Sequence, residues 1–309
     1  MKILIELPTW MGDTVMASVA IENIVNYYNS PEITLIGSSI SIEILKNHPC
    51  VKTSHVLTKK YISLIKIVRN LSDFDVFFSF RSPFRSTTLK LLVSSKNKYQ
   101  FKNSKYQNRH QVEKYNDFTN DSLDTNFLAG KLVVHNGKKS ITNNPKPLVG
   151  INPGASYGNA KRWYPKEFAK VAFELSSQYE IIIFGGHNEI DIAVDIEKLL
   201  VEKGVTNYTN LAGNTTIQEL INRISSLDLF ITGDSGPMHL AASFQVPTVA
   251  IFGPTKDEET SQWMNKKSII VKKTLDCQPC MQRTCPLKHH NCMNHIKAID
   301  VLNAVKSLD

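Results

Sequence analysis

Apolar positions fall into short runs that alternate with stretches of helical spacing. Lys2 to Leu7 is an apolar run closed by Pro8 and Gly12, and from Asp13 the residues Val15, Met16, Val19, Ile24 and Val25 recur at helical intervals. This predicts strand, loop, helix. Further strands are expected at Ile33 to Ile36, His55 to Leu57 and Val76 to Ser79, with helices near Ile40 to Asn47, Ile62 to Leu71 and Arg85 to Val93. Strands separated by helices imply a parallel sheet.

From Asp117 to Pro147 the chain turns polar and ends in Asn143, Asn144, Pro145 and Pro147, so no regular structure is expected there and the domain boundary is placed here. The domains are then 1–147 and 148–309. The pattern restarts with strands at Leu148 to Asn152 and Glu180 to Phe184, and with helices from Pro165 to Ser177 and onward through Leu200. A strand at Asp228 to Thr232, a helix from Pro237 and a strand at Pro247 to Phe252 follow. Ala298 to Leu308 reads as a helix that packs back on the first domain. The fold class is α/β, two Rossmann-like halves.

The length of 309 residues suits two domains. No apolar run approaches the roughly 18 residues of a membrane span, and Glu6 interrupts Ile3 to Ile5 before a signal sequence develops, so a cytoplasmic protein is expected. Residues 1–147 hold 20 basic and 11 acidic side chains, whereas residues 148–309 hold 16 and 17. The basic excess is thus confined to one half. A basic chain raises the question of nucleic acid, but neither a recognition-helix motif nor a paired-aromatic RNA motif is present.

Asp234-Ser235-Gly236-Pro237-Met238-His239 lies where a strand ends and a helix begins, the edge at which open α/β sheets bind ligands. A helix N-terminus attracts anions and Gly236 permits close approach, so a diphosphate suits it; an Asp/Ser helix cap is the plainer reading. The loop Asn152 to Trp163 is the second such place. It precedes a helix whose first residue is Pro165, and Lys161 is within reach of a phosphate; with Arg162 it is otherwise ordinary surface charge. Glu189, after Phe184-Gly185-Gly186, suits ribose hydroxyls or simply opens a helix. Asp13 suits a general base at the sheet edge or a cap for a helix starting at Thr14. Neither a Walker sequence nor a G-x-G-x-x-G follows a strand, which argues against a P-loop enzyme or a dinucleotide oxidoreductase.

Together, Leu7-Pro8-Thr9-Trp10 with Gly12-Asp13, the run Arg109 to Tyr115, the Pro153 to Trp163 loop, Asn210-Leu211-Ala212-Gly213, Asp234 to His239 and Phe252-Gly253-Pro254-Thr255 resemble glycosyltransferase family 9 over most of the chain. The resemblance implies a GT-B architecture, two Rossmann-like domains facing a central cleft, acceptor domain first and ADP-sugar domain second. It implies inverting, metal-independent transfer of heptose from ADP-heptose onto the heptosyl-Kdo-lipid A inner core of lipopolysaccharide, at the inner-membrane surface, with no cofactor and no nucleic-acid partner. Asp13 would be the base and Lys161 the counter-charge to the leaving diphosphate, with Ser156, Glu189, Asp234, Ser235, Gly236, Met238 and His239 around the nucleotide sugar. Lys59, Lys60, Arg81 and Arg85, all in the basic half, are candidates for the anionic acceptor. The family pattern is departed from at Gly233, where Asn is common, and at Tyr164. Alternatives are a family member with another acceptor and a non-catalytic sugar-nucleotide-binding protein.

Five cysteines are present, four of them from Cys277 to Cys292. Cys277, Cys280, Cys285 and Cys292 are enough for a tetrahedral zinc site, yet the six-residue gap before Cys292 is unlike a paired knuckle. Reduced thiols are expected, with zinc and a disulfide as the alternatives.

Overall fold

Ile3, Leu4 and Ile5 are fully buried and form β1 (Lys2–Glu6), the middle strand of the first sheet. The computed structural model describes residues 1–58, 60–135 and 146–308. The chain divides into two units, Met1–Asn136 and Gly137–Asp309.

In the first unit β1 is followed by α1 (Met11–Tyr27), β2 (Glu32–Gly37), α2 (Ser39–Leu45), β3 (Val51–Val56), α3 (Tyr61–Arg69), β4 (Phe74–Ser79), α4 (Phe84–Leu92), β5 (Ser95–Gln100) and α5 (Gln111–Leu123). The strands are parallel in the order β3-β2-β1-β4-β5. The order reverses between β1 and β4, so the loops leaving those two strands diverge to opposite faces and leave a crevice at their C-terminal ends. One face is filled by Leu4, Ile36, Leu64, Phe77 and Leu89, where α3 and α4 pack. On the other, Phe118 of α5 meets the rings of Phe78, Phe80 and Phe101 at 6.3, 5.5 and 5.8 Å.

α5 corrects the expectation that structure lapses from Asp117. Its composition is polar, but Val112, Tyr115, Phe118 and Leu123 are buried at helical spacing. Its start is closed reciprocally: the Val112 N–H donates to His110 Nδ1 at 3.2 Å and the His110 N–H donates to Glu113 at 3.0 Å. β5 and the first four residues of β3 also escaped the pattern, since Lys and Asn alternate along β5 and three consecutive β3 residues are exposed. α1 begins at Met11, three residues before the expected Thr14.

The second unit contains β6 (Leu148–Asn152), α6 (Pro165–Leu175), β7 (Glu180–Ile183), α7 (Ile190–Glu202), β8 (Tyr208–Asn210), α8 (Ile217–Ser225), β9 (Leu229–Gly233), α9 (Gly236–Ser243), β10 (Thr248–Ile251), α10 (Asp257–Thr260), β11 (Ser268–Val271), α11 (Asn291–Asn294) and α12 (Ala298–Lys306). Its strands are parallel in the order β11-β10-β9-β6-β7-β8. Here the reversal lies between β6 and β9, which brings the loops after these strands side by side. Pro165 opens α6 as expected. Ala298, Val301 and Ala304 of α12 join the core of this unit, and the Ala298 N–H donates to Glu167 at 2.8 Å.

Candidate active site

In the second unit the two loops anticipated from sequence meet through one ion pair. Lys161 Nζ donates to Asp234 Oδ2 at 2.5 Å, and Thr255 Oγ1 donates to the same oxygen at 2.6 Å. Asp234 is buried and Lys161 nearly so. Asn152, at the end of β6, binds across to Thr232 at 3.2 Å and to Ser235 at 3.1 Å. The Ser235 hydroxyl is therefore engaged sideways and does not cap α9. The helix cap considered for Asp234 and Ser235 is thus replaced by a lattice of side chains beneath an uncapped helix start, whose dipole favours an anion. Met238 and His239 are buried, Met238 among Ala250 and Phe252, and the Met238 N–H donates to Ser235 O at 3.1 Å.

Glu189 is also buried and accepts the Gly186 N–H at 2.7 Å. Its carboxylate lies against Gly154 so closely that a Cβ there would overlap it. The loops after β6 and β7 are therefore in contact at one edge of the sheet. Ser156 is exposed in the same loop. Lys161 Nζ lies 4.8 Å from the centre of the Tyr157 ring, and Arg283 lies 5.2 Å from the same centre.

The cysteine-bearing segment braces this loop. The Ala160 N–H donates to Arg283 O at 3.1 Å, and His290 Nε2 donates to Ala160 O at 2.8 Å. A Cβ on Gly158 would overlap Arg283 O, so the approach requires glycine. Cys277, Cys280, Cys285 and Cys292 line one cavity of about 20 Å³ with Pro254 and His289. Burial, and then the three other thiols, push the Cys292 thiol up to about 11. The one set of three metal-type donors within 4.8 Å of one another among the described residues is elsewhere, at Glu22, His48 and His135 of the first unit. There His48 and His135 each place Nε2 on Glu22 Oε1, at 3.1 and 2.9 Å. Since His48 Nδ1 accepts the Cys50 N–H at 3.0 Å, its proton is on Nε2 and the group is a hydrogen-bonded trio.

In the first unit Asp13 is the third residue of α1, so it is not the helix cap. It lies half-buried near Tyr115, whose hydroxyl is held well above its ordinary pKa, first by burial and then by the Asp13 charge. Gln111 hydrogen-bonds that hydroxyl, and Arg81 acts on it in the opposite sense. Arg81 is itself anchored: its Nη1 is 3.4 Å from Glu6 Oε1, and the buried Glu6 carboxylate also accepts from Ser79 at 2.6 Å and Ser86 at 2.9 Å. Burial raises the Glu6 pKa while the serines and Arg81 pull it down.

Arg85 Nη2 donates to Thr58 O at 2.5 Å and to Lys60 O at 3.4 Å, joining the start of α4 to the turn before α3. Lys60 is exposed, and Lys59 lies outside the described residues. Arg81 and Arg85 thus follow β4, which lies beside β1, the strand that leads into α1 and Asp13. Thr255, Asn152, Glu6 and Tyr115 were not assigned roles from sequence. Thr255, Tyr115 and Asn152 lay in quoted segments without a role of their own; Glu6 gave no signal, because an apolar strand end conceals which side chain turns toward a neighbouring loop.

The family model for glycosyltransferase family 9 (heptosyltransferase) matches residues 87–291. Lipooligosaccharide heptosyltransferase 2 of Campylobacter jejuni subsp. jejuni serotype O:2 is 42% identical, over 100% of this chain and 98% of that protein. Lipopolysaccharide heptosyltransferase 2 of Escherichia coli K12 is 31% identical over 49% of this chain and 46% of its own length. The solved E. coli ADP-heptose lipopolysaccharide heptosyltransferase II has a TM-score of 0.83 at 21% identity, covering 100% of this chain and 98% of that one. E. coli heptosyltransferase WaaC with ADP has a TM-score of 0.80 at 13% identity, covering all of both chains. Two parallel-sheet α/β units with this likeness bear out the GT-B fold class. With a family match that runs through both units and a relative similar along its whole length, the chain belongs to glycosyltransferase family 9.

Proposed function

We propose that this chain is an inverting heptosyltransferase that moves heptose from ADP-heptose onto the heptosyl-Kdo-lipid A inner core of lipopolysaccharide. The observation that carries the donor half of this reading is the Lys161–Asp234–Thr255 cluster beside the uncapped start of α9.

In the proposed step the Asp13 carboxylate takes the proton of an acceptor hydroxyl as that oxygen bonds to the anomeric carbon. The bond from that carbon to the diphosphate breaks, its electron pair leaves with ADP, and attack from the opposite face inverts the centre. Charge grows on the leaving diphosphate during this step. The Lys161 ammonium and the positive end of α9, from Gly236 through Met238 and His239, favour the transition state over the ground state, supplying positive potential where other transferases use a divalent ion. Ser156 and Glu189 are assigned to the nucleotide sugar, Glu189 through ribose hydroxyls.

The acceptor carries phosphates and Kdo carboxylates. Lys59, Lys60, Arg81 and Arg85 are assigned to it, with Arg81 held by Glu6 and Arg85 by two carbonyls. Because the acceptor is lipid-linked, the enzyme is assigned to the cytoplasmic face of the inner membrane as a peripheral protein. Among the described residues no helix is long and apolar enough to cross a membrane.

Mass spectrometry of a water-soluble, deacylated core acceptor after incubation with ADP-heptose tests the reading. One added heptose on an acceptor already carrying one, undiminished by EDTA, is the expected result. Transfer only onto the heptose-free acceptor moves the chain to another role in the family, and no transfer from ADP-heptose to either overturns the proposal.

A further inference from the structure

Three features lie outside the reacting groups: the cysteine cavity, the Glu22–His48–His135 trio, and the outward surface of α3 and α4. The third has a composition that a solvated surface does not explain. α3 has the sequence YISLIKIVR, and it fully buries Leu64 alone. Tyr61, Ile62 and Ile65 are exposed, Ile62 by 67%. On α4, Phe84 is 78% exposed and Leu91 76%, spaced so that they share a face, with Leu92 beside them. Surface helices ordinarily turn charged residues outward and keep their apolar stripe for the core. Here both helices give the core one stripe and present a second to water.

The charges on these helices all have one sign. α3 and α4 together contain Lys66, Arg69, Arg85 and Lys90 and no acidic residue. An apolar patch on two helices whose only charged side chains are cations matches the interface of a bilayer containing anionic lipid, where apolar side chains enter the boundary of headgroup and acyl chain and basic ones meet phosphate. A second copy of this chain fits the patch poorly, because a two-fold contact places each basic border against itself.

Position makes the same argument. α3 and α4 begin just past the C-terminal ends of β3 and β4, the edge where Arg81 and Arg85 sit. Arg85 binds the carbonyls of Thr58 and Lys60 and lies 5.7 Å from the centre of the Tyr61 ring, so the apolar patch and the basic acceptor residues are continuous.

We propose that the outward faces of α3 and α4, carrying Tyr61, Ile62, Ile65, Phe84, Leu91 and Leu92, dock this chain on a bilayer surface rich in anionic lipid. The proposal rests on the reading that the acceptor is lipid-linked. Docking there brings the basic edge of the first unit to the level of the headgroups, where a lipid-linked sugar core emerges.

Cosedimentation of the full chain with vesicles tests this without any transfer reaction. The probes are phosphatidylcholine with phosphatidylglycerol, and phosphatidylcholine alone, neither containing lipid A. Binding is expected to the anionic vesicles and to fall as salt rises. The Ile62→Glu/Phe84→Glu double variant is expected to bind roughly tenfold more weakly or worse, as is Lys66→Glu/Arg69→Glu. All four positions are on the surface, so thermal unfolding and ADP binding should be unchanged, which separates lost docking from lost folding.

With the deacylated acceptor both double variants should keep parental turnover, and with acceptor embedded in vesicles they should lose it. If the parent and the Ile62→Glu/Phe84→Glu variant sediment equally, or the parent ignores anionic vesicles, the docking surface is wrong. If sedimentation velocity shows a parental dimer that this variant dissolves, the patch is a contact between copies and the proposal fails. Vesicle binding that depends on the patch, in a chain that transfers no heptose, leaves the docking surface standing and rejects the assigned reaction.

Discussion

Lys161 Nζ reaches Asp234 Oδ2 at 2.5 Å across a gap of 73 residues, and Thr255 donates to the same oxygen. Asp234 is thus the fixed anchor that holds Lys161 at the start of α9. On the proposed reading a diphosphate arriving there would compete with Asp234 for the ammonium, and the pair would fix where Lys161 waits in the free enzyme.

Lys161→Ala removes one partner of this buried pair and should cost about 3 kcal/mol of stability, because Asp234 is left charged with Thr255 as its remaining donor. It should also weaken ADP binding and slow turnover. Lys161→Met with Asp234→Asn should recover most of the stability without the activity. Denaturant unfolding beside ADP titration separates the two effects, and full activity in the double variant would remove Lys161 from the reaction.

Asp13→Asn changes one oxygen to an amide on the first turn of α1. A positioned general base is worth roughly 10²- to 10⁴-fold in rate, so kcat should fall by about that factor while ADP affinity holds, since the donor loops are in the other unit. Single-turnover rates with saturating acceptor measure it. Unchanged turnover would return Asp13 to a merely structural place in the helix.

Gly154→Ala drives a Cβ into the Glu189 carboxylate. Overpacking of this kind costs about 1–3 kcal/mol. The loss should shrink when Glu189→Ala is added, because the obstacle is that side chain; a double-variant cycle in thermal unfolding gives the coupling. Strict additivity of the two changes would show that the loop accommodates the methyl in another way.

Glu22 receives hydrogen bonds from His48 and His135, and although burial works against ionisation these bonds win, holding its pKa below the ordinary 4.5. A carboxyl depressed on folding contributes stability that is complete above the unfolded pKa and is lost as pH falls through the lower folded value. The first unit should therefore lose stability below about pH 4.5, and Glu22→Gln should flatten that acid limb. Urea midpoints followed from neutral pH to pH 3 give the slopes; identical acid limbs in parent and variant would exclude the trio as their source.

Cys292 has a thiol pKa of about 11, raised by burial and by Cys277, Cys280 and Cys285. At pH 8 only about one molecule in a thousand carries its thiolate, the reactive form. Alkylation of Cys292, followed by peptide mass spectrometry, should be far slower than that of a free small thiol and should climb steeply toward pH 11. Zinc found in stoichiometric amount in the purified chain would displace this account, since a bound metal holds its cysteines as thiolates.

The sequence by itself determined the alternation of strand and helix, the division into two α/β halves, and the loops of the second half. Short β-branched apolar runs such as Ile3 to Ile5 and Ile181 to Ile183, closed soon after by proline or glycine, read as strands covered on both faces. It did not disclose α5, whose helical stripe is diluted by Asn, Asp and Thr, or β5, an edge strand with five polar residues in six that takes its place by pairing with β4.

Only the tertiary structure decided which side chains meet. Asp234, Lys161 and Thr255 lie on three different connections, and Glu6 finds Arg81, Ser79 and Ser86 through a strand 73 residues away. Such partnerships depend on strand order: β9 beside β6 and β4 beside β1 put loops distant in sequence at the same edge. Local spacing carries no record of that order. The physical reason is that propensity and periodicity act within a few residues, whereas burial of a charge such as Asp234 or Glu6 is tolerated only where the whole fold delivers its partners.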